Sequence, residues 1–309
     1  MNSSLRKSIF STLAYFDIFD YPLTAWEAWK YLYAMKAEYA DVVRALDELV
    51  AFEKIETRNG FYFLRGRNAI VDSRARKYAI SEKKYKKTKR ILKVLSLMPF
   101  VRCVCVINTL SYDNAREESD VDILLLVEAQ RLWLSRFITV SFLRVFKFRP
   151  TEETRANTIC LNIVAGLDGM NFENIALEPK DIHLAHILLH AVPVFDEKSH
   201  FSDFFQSNPW AKNIFPNAFG AEVSSRRKIQ IRALGKIFKK IFEILLSVFP
   251  KKILERIFQN IQMKIMPQNL KKAANVNTNV VFSDTILKFH IKDRREEYNR
   301  AWREKIKSF

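Results

Sequence analysis

The chain has 309 residues, 49% of them apolar, with only 6 glycines and 9 prolines, so it can bury sizeable cores and should divide into two or three domains. Its formal net charge of +17 points to polyanions as partners, either nucleic acid or an anionic membrane surface, against the plainer reading of a solvated lysine face. Three cysteines exclude a disulfide framework and fit a reducing, cytoplasmic setting.

Residues 1–66 read as a winged-helix-like domain. Apolar residues at helical spacing over 8–16 give a first helix, and Asp17 and Asp20 interrupt the apolar stretch in a way that argues against a signal peptide. Thr24-Ala25-Trp26-Glu27 is a capping box that opens a second helix. Val42, Val43, Leu46, Leu49 and Val50 set a third helix over 39–52. Asn59-Gly60 between two β-rich runs then specifies a type I′ hairpin, since both residues accept positive φ. Three helices and a wing resemble a winged helix-turn-helix, whose third helix commonly enters the major groove. Here that helix carries Asp41, Asp47, Glu48 and Glu53 against a single Arg44, which repels phosphate, so packing against protein is its expected role.

Residues 67–97 read as a basic linker helix, whose cluster from Arg74 to Arg90 is one of two concentrations of positive charge. The core follows at 98–195. A strand over 101–107 places Cys103 and Cys105 on one face as small core residues. Asp120 and Asp122 project side by side from the next strand, and the run to Val127 is sheet interior. Adjacent carboxylates repel unless something positive sits between them. Magnesium suits the task, because its hard charge favours carboxylate oxygens and leaves positions for phosphate.

Residues 131–148 form a helix that is apolar over more than half its circumference, hence sandwiched between the sheet and another element; Arg136, Arg144 and Lys147 prevent it from spanning a membrane. A helix from Lys180 to His190 carries His183, His186 and His190 on nearly one face. His186 and His190 have zinc-compatible spacing, but no glutamate separates them and no third ligand is near, so they read as core histidines. Residues 196–309 read as a mainly helical basic region. An irregular connector covers 205–217, and one or two basic amphipathic helices cover 225–266, with Leu234, Ile237, Phe238, Ile241 and Leu245 on the apolar side. The apolar run at 241–250 is too short to cross a membrane. A polar loop at 272–279 and a final charged helix complete the chain.

Residues 106–127 resemble the signature of the polymerase-beta-type nucleotidyltransferase superfamily, a Gly-Ser pair at the end of one strand followed, after a short spacer, by Ser-Asp-x-Asp at the next. Ser119-Asp120-Val121-Asp122 matches the second element, and Asn108-Thr109 stand where the family has Gly-Ser. The resemblance implies an α+β fold, a nucleotidyltransferase-like mixed sheet with flanking helices. It implies Mg2+ held by a catalytic pair, Asp120 and Asp122, and a nucleoside triphosphate bound through Asn108, Thr109, Ser111 and Ser119. It also implies a third carboxylate from a later strand, which over 158–164 offers only Asn162; Asp168, Glu173, Glu152 and Glu153 are acids that could substitute. The order of winged helix and transferase core is similar to uncharacterised bacterial nucleotidyltransferase-domain proteins. Two function classes follow. One is an enzyme transferring a nucleotidyl group to an unknown hydroxyl acceptor on a protein, RNA or small molecule. The other is a catalytically degenerate fold that binds nucleic acid, membrane or a protein partner. The retained aspartates favour the first; Asn108-Thr109 and Asn162 favour the second.

Overall fold

The structure is a computed structural model that describes residues 3–151, 153–220 and 223–309. Helix α1 (Ser3–Asp17), strand β1 (Leu23–Thr24), α2 (Ala25–Lys30) and α3 (Tyr39–Ala51) precede a hairpin of β2 (Ile55–Arg58) and β3 (Phe61–Leu64). β1 adds to β3, so three short strands form a small antiparallel sheet. The local signals act as their chemistry demands. The Glu27 N–H donates to the Thr24 hydroxyl at 3.2 Å while the Thr24 N–H donates to the Glu27 carboxylate at 2.8 Å. Asn59 and Gly60 turn the hairpin with φ of 53° and 77°.

The segment expected to be a linker is α4 (Ala69–Leu97), a single helix that buries Ser81, Lys84, Tyr85 and Thr88 along its length. It leads into β4 (Val101–Val106), β5 (Val121–Val127), α5 (Leu132–Val145), β6 (Ile159–Gly166), α6 (Ile182–His190) and β7 (Val192–Asp196). The stretch read as an irregular connector contains α7 (His200–Gln206) and α8 (Pro209–Ile214), the latter opened by a proline in its first turn, where a missing N–H does no harm. Then come α9 (Ala233–Ser247), α10 (Lys251–Ile265), α11 (Gln268–Ala273), β8 (Val280–Phe282), β9 (Ile286–Phe289) and α12 (Arg295–Ile306).

The large sheet is mixed, with order β7-β4-β5-β6-β9-β8; β5 and β6 are parallel and the other neighbours antiparallel. Its last two strands come from the C-terminal region, which is therefore not only helical. Val164 on β6 faces Leu287 on β9 across the antiparallel ladder, so a division at residue 195 cuts through one sheet. Alternation along the strands feeds two cores. Cys103, Cys105, Leu124 and Leu126 face the side covered by α1 and α6; Val104, Val106, Ile123 and Leu125 face α4 and α5. Burial of both faces explains the unbroken apolar runs of β4 and β5. The first core runs without interruption from α1 and α3 through α6 to the sheet, so the N-terminal helices share their hydrophobic interior with it and are not set apart by an exposed linker. α12 closes the same side, its Trp302 indole donating to the Ser11 carbonyl at 2.9 Å. α5 is sandwiched between the sheet and α10, as its apolar circumference requires. Among the described residues no helix is long and apolar enough to cross a membrane.

Candidate functional site

A cleft of about 570 Å³ opens where α1, the turn after β4, β5, β6, α6 and the β9–α12 connection meet. Asn108, Thr109, Ser111, Ser119, Asp120, Asp122 and Asn162 all line it, so the residues singled out in the sequence do converge. β4 ends against β5, with the Ile107 N–H donating to the Asp122 carbonyl at 3.0 Å. The chain then enters a short 3-10 turn, Asn108–Leu110, through Asn108 at φ 58°, a left-handed value that asparagine adopts more readily than most residues. This places the Asn108 amide over the aspartates. Its Nδ2 donates to Asp122 Oδ2 at 2.9 Å, and Asn162 Nδ2 donates to Asp122 Oδ1 at 3.1 Å. The hydroxyls of Ser111 and Ser119 donate to the carbonyls of Asn108 and Arg116 at 2.6 and 2.9 Å, bracing the two turns.

Asp120 owes its position to a residue that sequence reading assigned to a basic surface. Lys84 is buried on α4, and its ammonium donates to the carbonyls of Glu117 and Ser119 at 2.9 and 2.6 Å, tying down the loop that delivers Asp120. Burial lowers the Lys84 pKa while the Asp120 charge opposes that shift. The Asp120 carboxyl is raised above the usual carboxylate range, first by burial and then by the Asp122 charge; Arg155 and His290 pull the other way. Arg116 and Arg155 line the cleft without forming an ion pair among the described residues, Arg155 acting on Asp120 only from a distance, whereas Lys288, also in its wall, is paired with Asp293.

The carboxylates fit one hard divalent ion. Oxygens of Asp120 and Asp122 and the sulfur of Cys160 lie within 4.8 Å of one another, the one such group among the described residues. Cys160 arrives through the parallel register, in which it is the β6 partner of Asp122. Its thiol is pushed well up by burial and by Asp122, and a protonated, soft thiol is a poor magnesium ligand. Each Asp122 oxygen retains accepting capacity beside its one amide donor, so two carboxylates plus water or phosphate oxygens satisfy magnesium. Among the described residues no third carboxylate joins them. Asp168 packs at the Gly166 turn, Glu173 begins the short 3-10 helix Glu173–Ile175, and Glu153 is exposed, all away from the cleft lining; Glu152 lies outside the described residues.

The histidines form part of the cleft's aromatic floor, His186 and His190 buried and His183 half-buried. His186 stacks on Tyr15 with ring centroids 4.0 Å apart, His190 stacks on Tyr31 at 4.1 Å, and the Tyr15 hydroxyl lies 2.7 Å from His183 Nδ1. Burial drives His183 down to about 3 and His190 to about 4, and holds His186 well below its ordinary value, so all three are neutral at neutral pH. They form no metal-binding group with one another.

Lys84, Cys160 and His290, whose Nδ1 lies 3.3 Å from Asn162 Nδ2, escaped sequence reasoning. Nothing local marks a buried lysine within a lysine cluster. Cys160 and His290 become site residues only through strand register and through the return of β9 to the sheet. Comparison with protein-family models, curated proteins and solved structures finds no match.

Proposed function

We propose that the protein binds a magnesium-nucleoside triphosphate through Asp120 and Asp122 and acts as a nucleotidyltransferase toward a hydroxyl acceptor. The observation that carries this reading is the pair of neighbouring carboxylates in a cleft that Arg116 and Arg155 also line, neither arginine forming an ion pair among the described residues. An idle surface has no physical reason to keep two carboxylates that repel each other. In this reading Asp120 and Asp122 hold the ion, and Asn108, Thr109, Ser111, Ser119 and the backbone of the 108–112 turn face the phosphates. The ion, when bound, neutralises phosphate charge and polarises the α-phosphorus centre. Asn108 and Asn162 orient the Asp122 carboxylate, while Arg116 and Arg155 attract the polyanionic tail of the nucleotide.

A second reading, binding without transfer, is favoured by one observation. Asn162 stands beside Asp122 as a donor, so the position that would supply a third acid supplies an N–H and no carboxylate base. Calorimetric titration with magnesium and each ribonucleoside triphosphate separates the readings from each other and from none at all. Magnesium-dependent binding should appear, and Asp122→Asn should weaken it by roughly tenfold or more. Asn162→Asp should tighten the ion and raise any transfer activity. Nucleotide binding that ignores magnesium, or that survives Asp122→Asn unchanged, would remove the assignment of the site.

A further inference from the structure

α9 and α10 are packed inside out. α9 turns Lys239 and Glu243 toward the protein. The Lys239 ammonium donates to the carbonyls of Ser96 and Val101 and meets Glu197, while Glu243 accepts from the Phe100 N–H at 2.7 Å and from Arg102 at 2.8 Å. Gly235 allows close approach to α4, since a Cβ there would lie 2.8 Å from Leu97 Cδ2. α10 likewise turns Glu255 and Gln262 inward. Glu255 accepts from the Trp133 and Leu134 N–H groups at 2.7 and 3.0 Å, capping the start of α5, and the Gln262 amide donates to the Trp133 carbonyl at 2.8 Å.

The opposite faces are apolar and bare. On α9, Leu234, Ile237, Phe238, Ile241 and Leu245, with Val248 at its C-terminal cap, recur at helical spacing and are all exposed, Phe238 by 62% and Val248 by 76%. On α10, Ile253, Ile257, Ile261 and Ile265 continue the stripe at every fourth residue. Soluble helices do the reverse, and exposed apolar patches of this extent mark interaction surfaces.

Charge identifies what the stripe meets. The only acids between 233 and 265 are the two inward-facing glutamates, so the outer surface carries Lys236, Lys240, Lys251, Lys252, Arg256 and Lys264 beside the apolar stripe and no negative group. We infer that α9 and α10 lie in the headgroup region of an anionic phospholipid membrane, isoleucines and phenylalanines toward the acyl chains and lysines toward lipid phosphates. Such an element needs an apolar stripe flanked by cations and no spanning length, and neither helix has spanning length. Nucleic acid would use the cations but leave the apolar stripe in water, since its interfaces are polar. A second copy would cover the stripe but bring its cations against their own kind.

The test is flotation of the full chain with vesicles of phosphatidylcholine alone and of phosphatidylcholine containing phosphatidylserine. The protein should float with the anionic vesicles, far less with the neutral ones, and progressively less as salt rises. Phe238→Ser with Leu245→Ser should reduce the partition coefficient on the order of tenfold or more. Lys236→Gln, Lys240→Gln and Lys252→Gln should each reduce it about fivefold. Circular dichroism and the unfolding midpoint of each variant report whether the fold is kept, and the lysine variants, which touch no packing, keep the test decisive should the serine variants lose structure. Absence of vesicle binding overturns the inference, as does binding indifferent to the lysine variants. A dimer seen by light scattering that Phe238→Ser dissolves, without vesicle binding, assigns the stripe to self-association instead.

Discussion

α4 and the α9–α10 pair are both basic and amphipathic, yet they face the rest of the molecule in opposite ways. α4 turns Ile91, Leu92 and Leu95 into the core and leaves Lys83, Lys86, Lys87 and Arg90 in solvent. α9 and α10 turn charged and amide groups inward and leave isoleucine and phenylalanine in solvent. The difference lies in what waits beneath each helix. Under α4 is a sheet face of Val104, Val106 and Leu125, which only apolar atoms can fill without penalty. Under α9 and α10 are backbone groups with no ladder or helix partner: the Phe100 N–H, the Val101 carbonyl, and the N–H groups that open α5. Those groups require polar side chains. Amphipathicity therefore states that a helix has two faces; the surface below decides which of them is buried.

Acid should separate the two regions most strongly. The side covered by α1 and α6 holds three neutral histidines, while α9 and α10 contain none. The folded-state values, about 3 for His183 and about 4 for His190, are depressed below the unfolded value near 6.5. Unfolding therefore takes up protons, and their contribution, full above about pH 6.5, is lost as pH falls toward 4, at up to about 1.4 kcal/mol per pH unit for each imidazole. Urea unfolding midpoints should drop steeply across that window. A flat profile from pH 6.5 to 4.5 would show that the histidines are not sealed under α1.

Core truncation should come next. Leu92→Ala, at a residue 1% exposed, should cost about 2–5 kcal/mol. Leu245→Ala, at 57% exposed, should stay within about 0.5 kcal/mol. Equal costs would mean that α9 packs its apolar face inward after all. Among the lysines, Lys84→Met should cost about 1–3 kcal/mol by leaving the Glu117 and Ser119 carbonyls without a donor. It should also weaken magnesium binding by loosening the loop that carries Asp120. Lys240→Met, on the exposed face of α9, should leave both stability and magnesium binding unchanged.

What could be read in the chain was written over short distances. The Thr24–Glu27 cap, the Asn59-Gly60 turn and the side-by-side projection of Asp120 and Asp122 each depend on residues within a few positions of one another. The mixed sheet with flanking helices follows from such signals. The addition of β8 and β9 does not, because β6 pairs with a strand more than a hundred residues later, and nothing in a short strand such as Ile286–Phe289 names its neighbour. The same holds for Cys160, placed beside Asp122 by register alone, and for Lys84, indistinguishable in sequence from the solvated lysines around it. The shared core of α1 and α6 was equally hidden, since a complete helix-helix-helix-hairpin order looks self-sufficient until its outer face is seen to be covered.

The smallest effect is the sharpest on the site itself. Asp120 on the loop held by α4 and Glu255 on α10 are both carboxyls raised by burial, but Glu255 faces three backbone donors whereas Asp120 faces another carboxylate. For a carboxyl raised in the folded state, stability is present below the unfolded value and lost as pH rises through the folded one. At neutral pH both ionised groups therefore carry a cost, offset at Glu255 by three backbone N–H groups and at Asp120 by its own N–H with weaker pulls from Arg155 and His290. Glu255→Gln should lose up to about 1 kcal/mol from the start of α5. Asp120→Asn, in a chelator, should instead gain a few tenths of a kcal/mol, a small figure because the group is partly exposed and solvent screens the repulsion. Magnesium should raise the unfolding midpoint of the native chain and leave that of Asp120→Asn unmoved. A loss of stability on Asp120→Asn without magnesium would show that the carboxylate is a bonded turn residue, and the case for a held cation would go with it.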